Sequence, residues 1–311
     1  MKDMYTRVSL VRLCRLLGIT RQAYYQHCWQ QEATGIEEAL VLQQVIRLRK
    51  DHRVMGGRKL YEKLYPFLLD HQIKMGRDAL FDLLAANNLL VKKRRRRYVT
   101  TWSGHWLKKW PNLIRGMEIT RANQLWVSDI TYWKVSGNYL YISLITDAYS
   151  HKIIGYHLAE TLESVETIQA LKMALRQLPP SLTQKPIHHS DRGVQYCSES
   201  YVKLLQDKNI RISMTENGDP LENAIAERMN GILKEEYLRH DKPENKEQAN
   251  KQLLRAVKLY NEQRPHLSIG LLTPEQVHSQ NLKTEKLWKN YYNKNTKIVN
   301  HLQDNIQPVN T

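Results

Sequence analysis

IHHSDRGVQYCSESYVKLLQDKNIRISMTENGDPLENAIAERMNGILKEE, residues 187–236, is the stretch on which the fold turns. It opens on a short run that delivers Asp191 and closes on a segment with helical spacing that carries Glu227, with 35 residues between the two acids. A third acid, Asp129, stands earlier in LWVSDITYW (125–133), a run of the aromatic and β-branched types that favour strands. A carboxylate in the middle of such a strand is costly to bury unless it holds a cation. Magnesium suits the place, because it takes oxygen ligands, usually one or two carboxylates plus water and phosphate oxygens. Three carboxylates on three elements can hold a metal pair in a cleft and promote in-line attack on a phosphodiester.

Working outward from these acids, Leu125–Val135 reads as a first strand, Ser136-Gly137-Asn138 as turn chemistry and 139–146 as a second strand. Tyr149-Ser150-His151 turns the chain again and 152–158 returns as a third. A helix over 163–178 follows from Val165, Ile168, Leu171, Leu175 and Leu178, and Pro179-Pro180 ends it. Residues 186–189 form a fourth strand, 198–208 a helix, Arg211–Met214 a fifth strand, and 221–238 a long helix bearing Glu227. A further amphipathic helix over 245–263 is closed by Arg264-Pro265-His266. Three meandering strands followed by helix–strand alternation predict an α/β core with a mixed five-stranded sheet.

Taken singly, each acid has a plainer reading. Asp129 could be a buried hydrogen-bond acceptor, Asp191 a turn residue before Arg192-Gly193, and Glu227 a solvated partner of Arg228 or Lys234. Asp147, Asp219 and Glu222 are the nearest competitors, and Asp147 reads as structural because turn residues follow it. Asn230 and Lys234 follow Glu227 at three and seven positions, so all three project to one side of the helix. Glu235 stands about 12 Å further along it, at about 1.5 Å per residue. His189 and Gln195 flank Asp191; orienting water or phosphate and a structural role are equally open to them.

The words WVSDITY, HSDRGVQY and GDPLENAIAERMNGILK together resemble the catalytic core of DDE transposases with a retroviral-integrase-type core. More narrowly they resemble the second-reading-frame product of the insertion-sequence-three family. YNEQRPHLSIGLLTPEQV (260–277) is similar to that family's end-of-core signature. One departure is Glu222, where many members carry Asp. The resemblance implies a ribonuclease-H-like core in which Asp129, Asp191 and Glu227 are catalytic and bind two Mg²⁺ or Mn²⁺ ions. It also implies that the side of the helix bearing Asn230 and Lys234 faces terminal DNA. Expected partners are double-stranded DNA (element terminal repeats and target) and further copies of the chain on that DNA. Family members are commonly completed by fusion to an upstream frame, and with no sustained heptad pattern here an upstream-frame partner or fusion is left open. Two other classes stand beside this reading: a metal-dependent nuclease of the same fold, and a non-catalytic DNA-binding regulator.

Bulk properties agree with a DNA-acting protein. Of a net charge of +16, residues 1–115 hold +14, with 23 Lys and Arg against 9 Asp and Glu. A basic front on a nearly neutral back is expected of a DNA-docking module joined to an enzyme. No apolar run reaches the roughly 18 residues that span a bilayer. The basic N-terminus is interrupted by Arg12 and Arg15, unlike a signal peptide, so a cytoplasmic location is expected. Three cysteines, Cys14, Cys28 and Cys197, make no disulfide framework and have no zinc-type spacing with the nearby histidines.

In the basic front, 8–28 read as two short helices about a turn at Gly18, with Thr20 as N-cap and Leu10, Leu13, Leu16 and Leu17 at helical spacing. The pattern fits a helix-turn-helix presenting Arg21, Gln22, Tyr24 and Tyr25, or a plain packing hairpin. A polar bridge over 30–35 is expected before a helix over 37–49. After Gly56-Gly57, a helix ending near Pro66 is expected. A second helix-turn-helix-like unit with Ile73, Leu80, Leu83 and Leu84 in its core follows, with 89–91 as a short strand. Lys92, Lys93, Arg94, Arg95, Arg96 and Arg97 are six consecutive cations, read as phosphate contacts. The expected organisation is a helix-turn-helix-like segment over 1–36, a helical DNA-binding module over 37–98 and a linker over 99–118. The ribonuclease-H-like core then spans 119–277 and a polar tail 278–311.

Overall fold

The computed structural model describes residues 8–91, 106–216 and 223–284. The chain divides into two compact units, residues 1–96 and 97–311.

In the first unit, Ser9 caps α1 (Leu10–Leu16) by accepting the Arg12 N–H. Gly18 takes a left-handed φ of +67°, which only glycine adopts without strain, and Thr20 caps α2 (Arg21–Arg49) by accepting the Ala23 N–H at 3.0 Å. Leu13 and Cys14 are buried from α1, whereas Leu16 and Leu17 are exposed. The expected bridge at 30–35 does not exist: α2 is one helix of 29 residues. Gln, Glu and Ala are good helix formers, and one internal Gly costs only about 1 kcal/mol. Nor does the next helix stop at Pro66, since α3 (Gly57–Asp70) runs through it. Pro66 is exposed while Leu64 and Leu68 are buried, so the carbonyl it leaves unpaired can turn to water. α4 (Arg77–Ala86) completes the unit, and Val41, Val45, Leu60, Leu64, Leu80 and Leu84 share its core. Residues 89–91 are not a strand; Leu89 donates its N–H to the Leu84 carbonyl at 2.7 Å, closing α4.

In the second unit β1 (Leu125–Val135) and β2 (Asn138–Asp147) are a hairpin, with Ser136 and Gly137 both at positive φ as a two-residue turn requires. β3 (Ile153–Ala159), α5 (Ser164–Gln177), β4 (Ile187–Ser190), α6 (Val194–Cys197), α7 (Glu199–Asp207) and β5 (Arg211–Met214) follow in order. Then come α8 (Ala224–Ile232), a π-turn over Leu233–Leu238, α9 (Lys246–Gln263) and α10 (Pro274–Gln280). The strands lie in the order β3-β2-β1-β4-β5, antiparallel through β1 and parallel beyond it. This mixed five-stranded sheet with helices is the ribonuclease-H-like architecture.

Alternation along β1 separates its two faces. Trp126 goes to one, packed with Ile168, Leu171 and Ala174 of α5 and Tyr201 and Leu205 of α7. Leu125, Val127, Trp133 and Val135 go to the other, under Ala226, Met229 and Ile232 of α8 and Leu253 and Val257 of α9. Asp129 therefore points to the α8 side.

The stretch before the core packs on it. Leu107 and Trp110 join the α5-side core, Leu113 N–H donates to Ser213 Oγ at 2.9 Å, and Ile114 and Met117 reach the α8 side. Where α5 crosses β3, a Cβ on Gly155 would run into the Ala170 carbonyl oxygen and lie 3.1 Å from the Ala174 Cβ. Gly155→Ala is expected to cost about 1–3 kcal/mol by overpacking, read as a lower denaturation midpoint of the catalytic unit. An unchanged midpoint would show that α5 can back away.

Candidate active site

β1 and β4 are parallel neighbours with Ser128 opposite Ser190, and each of the first two acids is the next residue along. Asp129 and Asp191 thus emerge at matching positions on adjacent strands and on one face. Asp191 is pinned by its own turn, Oδ1 accepting the Gly193 N–H at 3.0 Å. The same face is crossed by α8, which carries Glu227, exposed, in its first turn. Asn223 ties the start of that helix to β1, its Nδ2 donating to the Ser128 carbonyl at 3.1 Å. Asp219 and Glu222 lie outside the described residues.

The three acids are electrostatically coupled. Asp129 is raised from its ordinary 3.8 to about 7, first by loss of solvent and then by Asp191, with a smaller push from Glu227. Two hydrogen bonds work the other way: Asn230 Nδ2 donates to Oδ2 at 2.7 Å and the Ile130 N–H donates to Oδ1 at 2.9 Å. Asn230 is therefore placed on the carboxylate itself. Lys234 Nζ lies 3.1 Å from Thr131 Oγ1 and 4.2 Å from the centre of the Tyr132 ring. Burial lowers its pKa, and Glu235 and Asp129 oppose that shift. Since β1 pairs with β4 only over Leu125 to Ser128, Lys234 stands beside the part of β1 that runs on past β4.

The remaining candidates fall elsewhere. Glu235 points to solvent and pairs with Arg239. Asp147 is buried and accepts from the Asn123 N–H, the Ser150 N–H and the Ser150 hydroxyl. His189 Nδ1 lies 2.8 Å from Ser213 Oγ, and Gln195 Nε2 donates to the Leu162 carbonyl. Lys92, Lys93, Arg94, Arg95, Arg96 and Arg97 lie outside the described residues. Sequence reasoning missed His188, whose Nε2 lies 2.7 Å from Ser128 Oγ and 2.9 Å from the Tyr201 hydroxyl beneath the acids. Burial, helped by His189, pushes His188 down to about 3, so the ring is neutral.

Among the described residues no three acidic, imidazole or thiol side chains form a ready-made metal cage. Asp129 feels both Asp191 and Glu227, but the three do not close on a point. Their chemistry nonetheless suits a hard divalent cation, which needs only one or two carboxylates when water and phosphate supply the rest. Each carboxylate oxygen can accept more than one bond, so the two hydrogen bonds to Asp129 do not bar it from an ion. Burial first, and then repulsion from Asp191 and Glu227 with no cation between them, keep the Asp129 proton in place to near neutrality.

Fold and acidic cluster together define an integrase-type core, the catalytic unit of a polynucleotidyl transferase. Residues 119–220 and 208–274 each match an integrase core domain model. The 31 kDa protein of insertion element IS600 from Shigella sonnei is 33% identical over 269 residues, 84% of this chain and 96% of that one. The transposase InsF of insertion sequence IS3fB from Escherichia coli K12 is 29% identical over 284 residues, 88% of this chain and 95% of that one. Among solved structures, the HTLV-2 integrase catalytic core domain in complex with magnesium is 21% identical with a TM-score of 0.41, covering 50% of this chain and 96% of that one. The chain belongs to the insertion-sequence-three (IS3) family of DDE transposases. No helix among the described residues is long and apolar enough to cross a membrane.

Proposed function

We propose that this transposase binds the ends of its insertion element and carries out both metal-dependent strand cleavage and strand transfer into target DNA. The observation that carries the reading is the shared face of Asp129, Asp191 and Glu227, built from adjacent parallel strands and the helix across them. Two Mg²⁺ or Mn²⁺ ions bound there would activate the attacking water or 3′-hydroxyl and stabilise the leaving oxygen. Asp129 and Asp191 hold fixed directions for this work, the first through Asn230 and the Ile130 N–H, the second through the Gly193 N–H. Lys234 supplies a cation for the terminal phosphodiester beside Asp129, and no Ser or Tyr nucleophile is required. Asn230 serves the DNA end indirectly, by orienting the acid that faces it. Copies of the chain assemble on the DNA, with an upstream-frame product as a further partner.

Labelled element ends incubated with the protein and Mg²⁺ test the reading. Joined products support a transposase acting by itself. Cleavage without joining favours a nuclease, and binding alone a regulator.

Lys234→Ala is expected to weaken end binding and joining by about 10- to 100-fold, the range of a charge-assisted hydrogen bond, with metal affinity nearly intact. Lost metal affinity with normal DNA binding would move Lys234 to another role. The run over 92–97 is assigned to phosphate contacts. Replacing all six cations is expected to reduce the log–log salt slope of DNA binding by at most about five units. An unchanged slope would make the run a spacer.

A further inference from the structure

The helix that carries Glu227 does not stay α-helical. From Leu233 to Leu238 it widens into a π-turn, with the Arg239 N–H donating to the Lys234 carbonyl five residues back at 2.9 Å. π-turns within helices are rare and concentrate at functional sites. In an α-helix residues five apart point about 140° from each other, given 3.6 residues per turn. Here Leu233 and Leu238 are both buried in one core, at 0% and 1% exposure, because the wider turn brings them round together. Tyr237 is buried with them, and Glu236 is turned to the end of α9.

What Glu236 meets there is Arg264, whose side chain is 1% exposed. The guanidinium grips the carboxylate with two hydrogen bonds, Nε to Oε2 at 2.7 Å and Nη2 to Oε1 at 2.6 Å. Its remaining Nη1 donates to His266 Nε2 at 2.8 Å. Burial works against the charge, but Glu236 outweighs it and Arg264 stays above its ordinary pKa. A buried pair of this kind contributes little net stability over apolar residues of similar size. Geometric specificity is what the two-pronged grip adds.

On the strand side of the same turn stands Lys234, against Thr131 and Tyr132. Thr131 is two residues beyond Asp129 on one strand and so shares its face. We propose that Arg264 is a positioning residue: by holding Glu236 it fixes the π-turn that sets the Lys234 ammonium beside Asp129. Arg264 touches no substrate and acts through Lys234. Lysine cannot replace it, because one ammonium cannot hold both carboxylate oxygens and His266 in one plane.

The proposal rests on the role given to Lys234, so its test starts with no DNA and no metal present. In protein carrying ¹³C-labelled lysine, the Lys234 ε-methylene protons, next to an ammonium 4.2 Å from the centre of the Tyr132 ring, are expected at high field. Lys234→Arg assigns the signal by removing it. In Arg264→Lys the signal is expected to move to the ordinary lysine position while the other lysines stay put. End joining is expected to fall as far as in Lys234→Ala, and Arg264→Lys is expected to add nothing further in the double variant. Glu236→Gln gives the same pattern through the other partner and stands in if Arg264→Lys does not fold. An unmoved Lys234 signal in a folded variant overturns the proposal, as does a joining loss that adds fully to that of Lys234→Ala. A moved signal with normal joining upholds the positioning and overturns the DNA role of Lys234 instead.

Discussion

Changing Asp129, Asp191 or Glu227 singly to its amide is expected to abolish both strand cleavage and strand transfer while leaving DNA binding in place. Each change keeps the shape and removes one unit of negative charge from the cleft where Asp129 already feels both of the others. With a ligand lost, the ion pair that stabilises attacking and leaving oxygens is not assembled. The expected fall is on the order of a thousandfold or more, a fraction of the roughly 10⁶- to 10¹⁷-fold by which enzymes accelerate their reactions. Glu235→Gln is the control: its side chain is exposed and ion-paired with Arg239 one turn on. Asp147→Asn is unsuitable, since that carboxylate is fully buried and accepts three hydrogen bonds at 2.7–2.8 Å, so its loss acts on folding. Joining at the normal rate by Glu227→Gln, with Glu235→Gln dead, would move the third ligand two turns along the helix.

Much of the core was legible because its signals are local. Leu125–Val135 and Arg211–Met214 read residue for residue as they fold, the first from its density of aromatic and β-branched types. Ser136-Gly137 declared its turn through backbone chemistry that few residue pairs tolerate. The front end was harder. Residues 30–35 carry no apolar stripe, so pattern reading ended a helix that propensity carries straight through. Pro66 looks like a stop in the sequence because a sequence does not show which face of the helix is wet. The acids were found through the words around them, whereas their supporting contacts lie far off in the chain. Asn230 and Asp129 are 101 residues apart, and Arg264 and Glu236 are 28 apart. LKEEYL reads as ordinary helix; only the demand to bury Leu233, Tyr237 and Leu238 on one side widens it.

The largest thermodynamic consequence follows from Asp129. Its carboxyl is raised in the fold from the ordinary 3.8 to about 7, so between those values the folded protein binds a proton that the unfolded chain releases. Stability must then fall as pH rises through that window and level off above it. At about 1.4 kcal/mol per pH unit the ceiling is about 4 kcal/mol. The side chain is part-buried, not sealed, however, and water beside it trims this to about 2 kcal/mol. In melting curves of the metal-free protein, Asp129→Asn is expected to gain about 2–5 °C on the wild type between pH 5 and pH 8, since about two-thirds of the window lies above pH 5, at about 2–4 °C per kcal/mol. Comparing the two proteins at each pH cancels the titration of every other group. The amide fits the site, because Asn230 can turn its own unbonded Oδ1 toward the new NH₂. Magnesium or manganese reverses the order: an ion held by the ionised Asp129 stabilises the wild type at pH 8, by about 2.7 kcal/mol at a hundred times its dissociation constant. Asp129→Asn should gain little from the same ion. A melting difference that stays flat from pH 5 to pH 8 would mean that Asp129 ionises freely in the fold. Equal metal stabilisation of both proteins would place the ion elsewhere.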